Sequence, residues 1–336
     1  MSDSTETTTQ QDISHSATRA PAWVWQGPGE PEALEQSEVD IGAPGDDEVL
    51  VATRAIGLNP VDWKFMAMDS ELWQAGQIPG VDASGEVIAC GANVRHVSPG
   101  DRIAVHTTLA GPGTFSKRLR VPARAVMRLP VTLGFNDAAA FPCPALTAWL
   151  AIDKLPVKTG RRLLINGASG SVGRWLIQLA RQRNFHVIGV ASEKRHADLK
   201  ALGADETLAD AEQLDAPVFA MIDTVNGDHA HKMTRHLGAN GHIVCIQDRL
   251  EQAAAPAFDR AISQHEVALG ALHWAGDDED WARLVEAGEG LLEAIADGSM
   301  NQPAPCIEPF TALPACLAEL KSGERRALKF VITANE

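Results

Sequence analysis

The residues of this 336-residue chain with the plainest chemical meaning are Gly167-Ala168-Ser169-Gly170-Ser171-Val172-Gly173. They follow the apolar run RRLLIN and lead into the amphipathic stretch VGRWLIQLARQR. A glycine-rich turn from strand to helix suits pyrophosphate. Gly170 lets backbone approach the phosphate, Gly173 lets helix and strand pack closely, and the helix start offers free N–H groups to an anion. Ala168 stands where the strict GxGxxG fingerprint has its first glycine. The dinucleotide reading therefore rests on where the turn falls, between strand and helix, more than on its spacing.

The next strand, HVIGV, separates the two nicotinamide coenzymes. NAD sites end it on an acid that hydrogen-bonds the ribose 2′-hydroxyl. Here Ala191 holds that place, followed by Ser192, Glu193, Lys194 and Arg195. Without the carboxylate, repulsion against a 2′-phosphate is gone, and Ser192 with Lys194 or Arg195 can donate to it. NADPH is the expected coenzyme. The alternative turns Glu193 inward to the ribose and leaves Lys194 and Arg195 in solvent.

The elements that must hold these residues follow from two different rhythms. Early runs such as EVLVATRAIGL, GEVIA, DRIAV and FSKRLRVP are short, strand-like and punctuated by Gly and Pro, the pattern of an antiparallel sheet or partial barrel. After Pro130 comes a helix-like DAAAFPCPALTAWLAI. Strands then alternate with helices through RRLLIN, HVIGVA, KRHADLKALG, VFAMIDTV, DHAHKMTRHL and GHIVCIQ, and a last helix ends at Gly298. Such alternation predicts a doubly wound parallel sheet, making the fold class α/β. A chain this long calls for two domains: residues 21–145, completed by 299–336, and residues 146–298. Residues 1–20, rich in Ser, Thr and Gln, are expected to form a disordered tail.

Composition narrows the partners. The net charge of −15, from 44 acidic and 29 basic residues, argues against nucleic acid and anionic lipid. No run of 18 apolar residues occurs, so no membrane span is expected. Cysteines at 90, 143, 245, 306 and 316 form neither a disulfide framework nor a CxxC knuckle, which fits a cytoplasmic protein.

With those residues in place, the chain resembles the quinone oxidoreductase (zeta-crystallin-like) branch of the medium-chain dehydrogenase/reductase superfamily, from about Glu48 to Ile332. The likeness rests on Gly57-Leu58-Asn59-Pro60-Val61-Asp62-Trp63-Lys64, Pro79-Gly80-Val81-Asp82-Ala83-Ser84-Gly85, Pro99-Gly100-Asp101, Leu146-Thr147-Ala148, the glycine turn with Gln178 and Arg181, and Leu202-Gly203-Ala204-Asp205. Ser171 departs from it, since the branch usually has a second glycine there. The resemblance implies a GroES-like β-rich catalytic domain, a Rossmann domain and a substrate cleft between them. It places Asn59, with Thr147, toward the nicotinamide, and Ser169, Ser171 and Val172 on the pyrophosphate. Ser192 and Lys194 would meet the 2′-phosphate, while Thr224 and Cys245-Ile246-Gln247 would flank the nicotinamide ribose. A homodimer is expected from the family and from symmetry statistics.

Absences shape the expected chemistry. Zinc-dependent relatives hold metal with Cys and His where this chain has Leu58-Asn59-Pro60 and Val81-Asp82, and only Cys90 lies between residues 60 and 140, so no metal site is expected. Alcohol oxidation then lacks its usual Lewis acid. A quinone or α,β-unsaturated carbonyl can still accept hydride, needing only stabilisation of the resulting oxyanion and a proton. There is no tyrosine in the chain, so the tyrosine donor of thioester-type enoyl reductases is lacking and water can serve.

Asn59 and Lys64 are the candidate catalytic residues, with Asp62 orienting Lys64; an ordinary turn-surface ion pair between Asp62 and Lys64 is the alternative. Trp63, Phe65, Met66 and Trp73 form a candidate apolar wall for a flat acceptor, or else ordinary core. His229, His231 and His236 are expected at the surface, and His106 receives no role. Two rival readings remain: reduction of another small carbonyl substrate, and a catalytically idle dinucleotide-binding protein.

Overall fold

The computed structural model describes residues 18–68, 71–323 and 329–335. Most of the expected tail lies outside them. Its last residues do not behave as tail, because β1 (Arg19–Val24) pairs antiparallel with β2 (Glu35–Asp40) and the Ile41 N–H donates to Thr18 O at 3.0 Å.

The early strand-like runs form β3 (Glu48–Gly57), β4 (Asp82–Cys90), β5 (Arg102–His106), β6 (Arg118–Pro122) and β7 (Val126–Arg128). Of the predicted run from Phe115, only Arg118 onward joins the sheet. Between β3 and β4 sits the short helix α1 (Pro60–Met66), entered through Asn59 with Pro60 at the first position, where a missing N–H costs nothing. Helices α2 (Phe135–Ala140) and α3 (Pro142–Asp153) lead to the second unit.

That unit holds β8 (Arg162–Asn166), α4 (Ser171–Gln182), β9 (His186–Val190), α5 (His196–Ala201), β10 (Glu206–Leu208), β11 (Val218–Asp223), α6 (Gly227–Met233), β12 (Leu237–Cys245) and β13 (Ser263–Glu266). Its six strands are all parallel, in the order β10-β9-β8-β11-β12-β13, the doubly wound Rossmann arrangement. Every residue of β11 is buried, as a central strand covered on both faces requires. Helices α7 (Leu272–Ala275) and α8 (Asp278–Ala296) close this unit. The chain order reverses between β8 and β11, so a crevice opens beyond Asn166 and Asp223.

After α8 the chain returns to the first sheet with β14 (Cys306–Pro309), α9 (Leu313–Ser322) and β15 (Phe330–Thr333). β15 pairs antiparallel with β3, and the Leu58 N–H donates to Phe330 O at 3.0 Å. Residues distant in sequence therefore meet beside Asn59. Gly57 is needed at the end of β3, because a Cβ there would stand 2.0 Å from Ala139 O in α2.

Candidate active site

The glycine turn fits a dinucleotide by shape. Gly167 has φ +70°, so it supplies the tight turn that the sequence reading looked for at Ala168. A Cβ on Gly173 would lie 2.5 Å from Gly167 O, whereas one on Gly170 would meet only Gly167 O at 3.3 Å. Helix and turn are thus in contact at Gly173, and the backbone is less crowded at Gly170. Ser169 and Val172 are half-buried and Ser171 is exposed at the start of α4, all beside Gly170.

Beyond β9 the segment that follows is largely open to solvent. Ser192, Glu193 and Lys194 are exposed, while Arg195 is half-buried and its guanidinium lies 3.6 Å from Asp198. Arg174, one turn into α4, belongs to the same neighbourhood, and the sequence reading passed over it.

On the far side of the crevice, Thr224 Oγ1 donates to Asn166 O at 2.9 Å and the Ile246 N–H donates to Asp223 O at 3.1 Å. These bonds hold Thr224 and Cys245-Ile246-Gln247 at the ends of β11 and β12. Asn166 Nδ2 donates to Asp223 Oδ2 at 2.7 Å, and His229 Nδ1 lies 3.0 Å from the same oxygen. His229, expected at the surface, keeps 41% of its side chain exposed while it bonds Asp223.

Lys64 Nζ donates to Gln247 Oε1 at 2.5 Å, joining the first unit to the end of β12. The expected partnership with Asp62 does not form. Asp62 is fully buried, its Oδ2 accepts the Asn59 N–H at 2.7 Å, and it caps α1. Burial first, then repulsion from Asp82, pushes its carboxyl up to about 8 despite the Asn59 N–H, so it is mostly protonated at neutral pH.

Asp82 is the hub of the cleft floor. Its register partner across β4 and β5 is His106, whose Nδ1 lies 2.8 Å from Asp82 Oδ1. Asn59 Nδ2 donates to Asp82 Oδ2 at 2.8 Å, and the Cys143 N–H reaches both carboxylate oxygens at 3.1 and 3.0 Å. Lys329, just before β15, donates to Asn59 Oδ1 at 2.5 Å and stands 3.4 Å from Asp82 Oδ2. Burial alone would raise the Asp82 carboxyl; Lys329 and His106 outweigh it and hold the group below its ordinary range.

Sequence reasoning missed Asp82, His106 and Lys329. Register across the sheet and the return of β15 bring them together, and neither leaves a local spacing signal. Thr147 is buried in α3, one helical turn beyond Cys143.

Asp82, His106 and Cys143 bring potential ligand atoms within 4.8 Å of one another, a grouping the sequence reading did not foresee. The donor set does not fit a metal ion. Lys329 already supplies the cation, both Asp82 oxygens accept N–H donors, and burial with Asp82 beside it drives the Cys143 thiol strongly toward its protonated form.

Of the aromatic wall, Trp73 and Met66 prove to be core. Both are buried, with Trp25 and Phe65 ring centres 5.3 and 4.9 Å from Trp73, and Trp73 Nε1 donates to Leu109 O. Trp63 and Phe65 pack against that same core, and Lys321 of α9 lies 5.8 Å from the Trp63 ring centre. The apolar face of α1 thus packs toward α9, with Trp63 and Phe65 left half-buried.

Two sheets of this topology, with a glycine turn opening on the cleft, define a medium-chain dehydrogenase/reductase. Residues 45–131 match the alcohol dehydrogenase GroES-like domain. The chain is 30% identical to a chloroplast envelope quinone oxidoreductase homolog of Arabidopsis thaliana, over 63% of this chain and 70% of the relative. It is 26% identical to a mitochondrial NAD(P)H oxidoreductase of Bos taurus, over 92% and 88%. The quinone oxidoreductase structure from Coxiella burnetii superposes with a TM-score of 0.79 at 25% identity, covering 94% of this chain and 99% of that one. The chain belongs to the quinone oxidoreductase branch of this superfamily, and it is an oxidoreductase that uses a nicotinamide dinucleotide.

Proposed function

We propose that this enzyme reduces a quinone or an α,β-unsaturated carbonyl with NADPH and without a metal ion. The observation that carries the metal-free reading is Lys329 on Asp82 and Asn59: the cleft floor contains its own buried cation where a metal would otherwise be needed. NADPH, when bound, supplies the hydride. The vacant acid position after β9 supports its choice over NADH.

Asn59 presents a fixed carboxamide at the cleft, held through both of its side-chain atoms. Lys64, with one of its three N–H donors on Gln247, offers the others to the oxygen on which charge develops. The proton comes from water. The substrate is a small molecule, with neither nucleic acid nor membrane as partner; no helix among the described residues is long and apolar enough to cross a membrane. The outer position of β13 in its sheet supports a homodimer formed along that edge, and the scattered free thiols support a cytoplasmic location.

The test is NADPH oxidation with a panel of quinones and enones, before and after dialysis against a chelator. Turnover that survives dialysis is expected. Turnover restored only by zinc would end the metal-free reading, activity on saturated aldehydes alone would replace the substrate class, and binding without turnover on any acceptor would leave an idle coenzyme-binding protein.

A further inference from the structure

Arg174 is a cation without an anion. It lies one helical turn beyond Gly170, since the Arg174 N–H donates to Gly170 O at 3.0 Å. Its side chain is half-buried and forms no hydrogen bond or ion pair among the described residues, and its Nε is shielded from water with nothing to donate to. The charges nearest to it are Asp198 and Arg195, and Asp198 is already engaged by Arg195 at 3.6 Å. A half-buried guanidinium that shares its corner with a second one gains from an anion placed between them.

The place is specific. The Ala168 N–H donates to Val190 O at 3.1 Å, so the pyrophosphate turn is bonded to the end of β9, from which Ser192 to Arg195 departs. His196 Nε2, 2.9 Å from Ala191 O, braces the same segment. One wall of this corner comes from α4 and the other from the segment after β9. The planar fork of arginine matches phosphate oxygens, and two such forks suit a dianion.

We propose that Arg174, together with Arg195, binds the 2′-phosphate of the coenzyme and sets the preference for NADPH, with exposed Ser192 and Lys194 as weaker rim contacts. This rests on the NADPH reading above and assigns it to a residue of the helix following the glycine turn. Burial, helped by Arg195, outweighs the opposing pull of Asp198 and holds the Arg174 guanidinium below its ordinary range.

The full-length protein is titrated with NADPH, NADH, adenosine 2′,5′-bisphosphate and 5′-AMP, in wild-type form and as Arg174→Gln, Arg174→Lys and Lys194→Ala. Losing a charge-assisted bidentate contact should weaken NADPH and the bisphosphate about 30-fold in Arg174→Gln, while NADH and 5′-AMP change less than about threefold. Arg174→Lys should recover part of the loss, and Lys194→Ala should lose less than Arg174→Gln. The melting temperature of coenzyme-free Arg174→Gln should not fall, because an unpaired cation has been removed.

An Arg174→Gln protein that keeps the wild-type ratio of NADPH to NADH affinity overturns the assignment and leaves the coenzyme reading standing. A wild-type protein with no preference overturns the coenzyme reading itself. Should Arg174→Gln fail to fold, Arg174→Lys makes the same comparison, and an unchanged ratio there overturns the bidentate role.

Discussion

Lys329 Nζ lies 2.5 Å from Asn59 Oδ1, although 270 residues separate the two in the chain. The last strand thereby delivers a cation to a buried carboxylate and to the Asn59 carboxamide. Lys329→Met should leave Asp82, which has no exposed surface, short of its ammonium partner. A loss of about 3–5 kcal/mol in unfolding free energy is expected by denaturant titration. Pairing it with Asp82→Asn should recover part of the loss, and full additivity of the two substitutions would show that Lys329 and Asp82 do not act together.

Asp62 predicts a pH dependence with a definite sign. Its carboxyl is raised from 3.8 to about 8 in the folded protein. The folded state therefore holds a proton that the unfolded chain has released, so this group's contribution is complete below pH 3.8 and is lost as pH rises to about 8. Asp62→Asn should flatten the fall in stability across that window, measured by urea unfolding at a series of pH values. Parallel profiles for wild type and variant would contradict the protonated carboxyl.

Gly170 and Gly173 should separate binding from folding. Gly173→Ala puts a Cβ 2.5 Å from Gly167 O, and a cost of about 1–3 kcal/mol with a lowered melting temperature is expected. Gly170→Ala meets Gly167 O at 3.3 Å, a tight contact that a shift of a few tenths of an ångström relieves, and should melt closer to the wild type than Gly173→Ala does. It should nevertheless lose about tenfold or more in NADPH affinity, because the new methyl occupies the phosphate approach. Unchanged affinity in Gly170→Ala would place the pyrophosphate elsewhere.

In the proposed mechanism, oxyanion stabilisation rests on Lys64. Lys64→Met should lower kcat by about a hundredfold in steady-state reduction of a quinone. Gln247→Leu, which removes only the brace across the cleft, should cost less. Equal losses would indicate that the bridge between the two units, not the ammonium, matters.

Elements with a local signature were readable without coordinates. The alternation after Pro130, the glycine turn, and Ala191 in the place of the acid are short-range patterns, and the six parallel strands follow from them. The aromatic residues around α1 were not readable in the same way. Spacing put Trp63, Phe65 and Trp73 together, but which side they face depends on α9, more than two hundred residues further on. Asp62 and Lys64, two residues apart, resemble an ion pair in sequence; the start of α1 turns one into the core and sends the other to Gln247.

By itself the sequence determined the two units, the coenzyme class and the absence of any tyrosine acid, because each depends on residue type and local order. Tertiary structure alone decided the cleft floor. Asp82 meets His106 through strand register, and Lys329 arrives with the returning β15. Buried charges are settled by whatever the fold brings within a few ångströms, and one strand slipped by one residue would exchange every such partner.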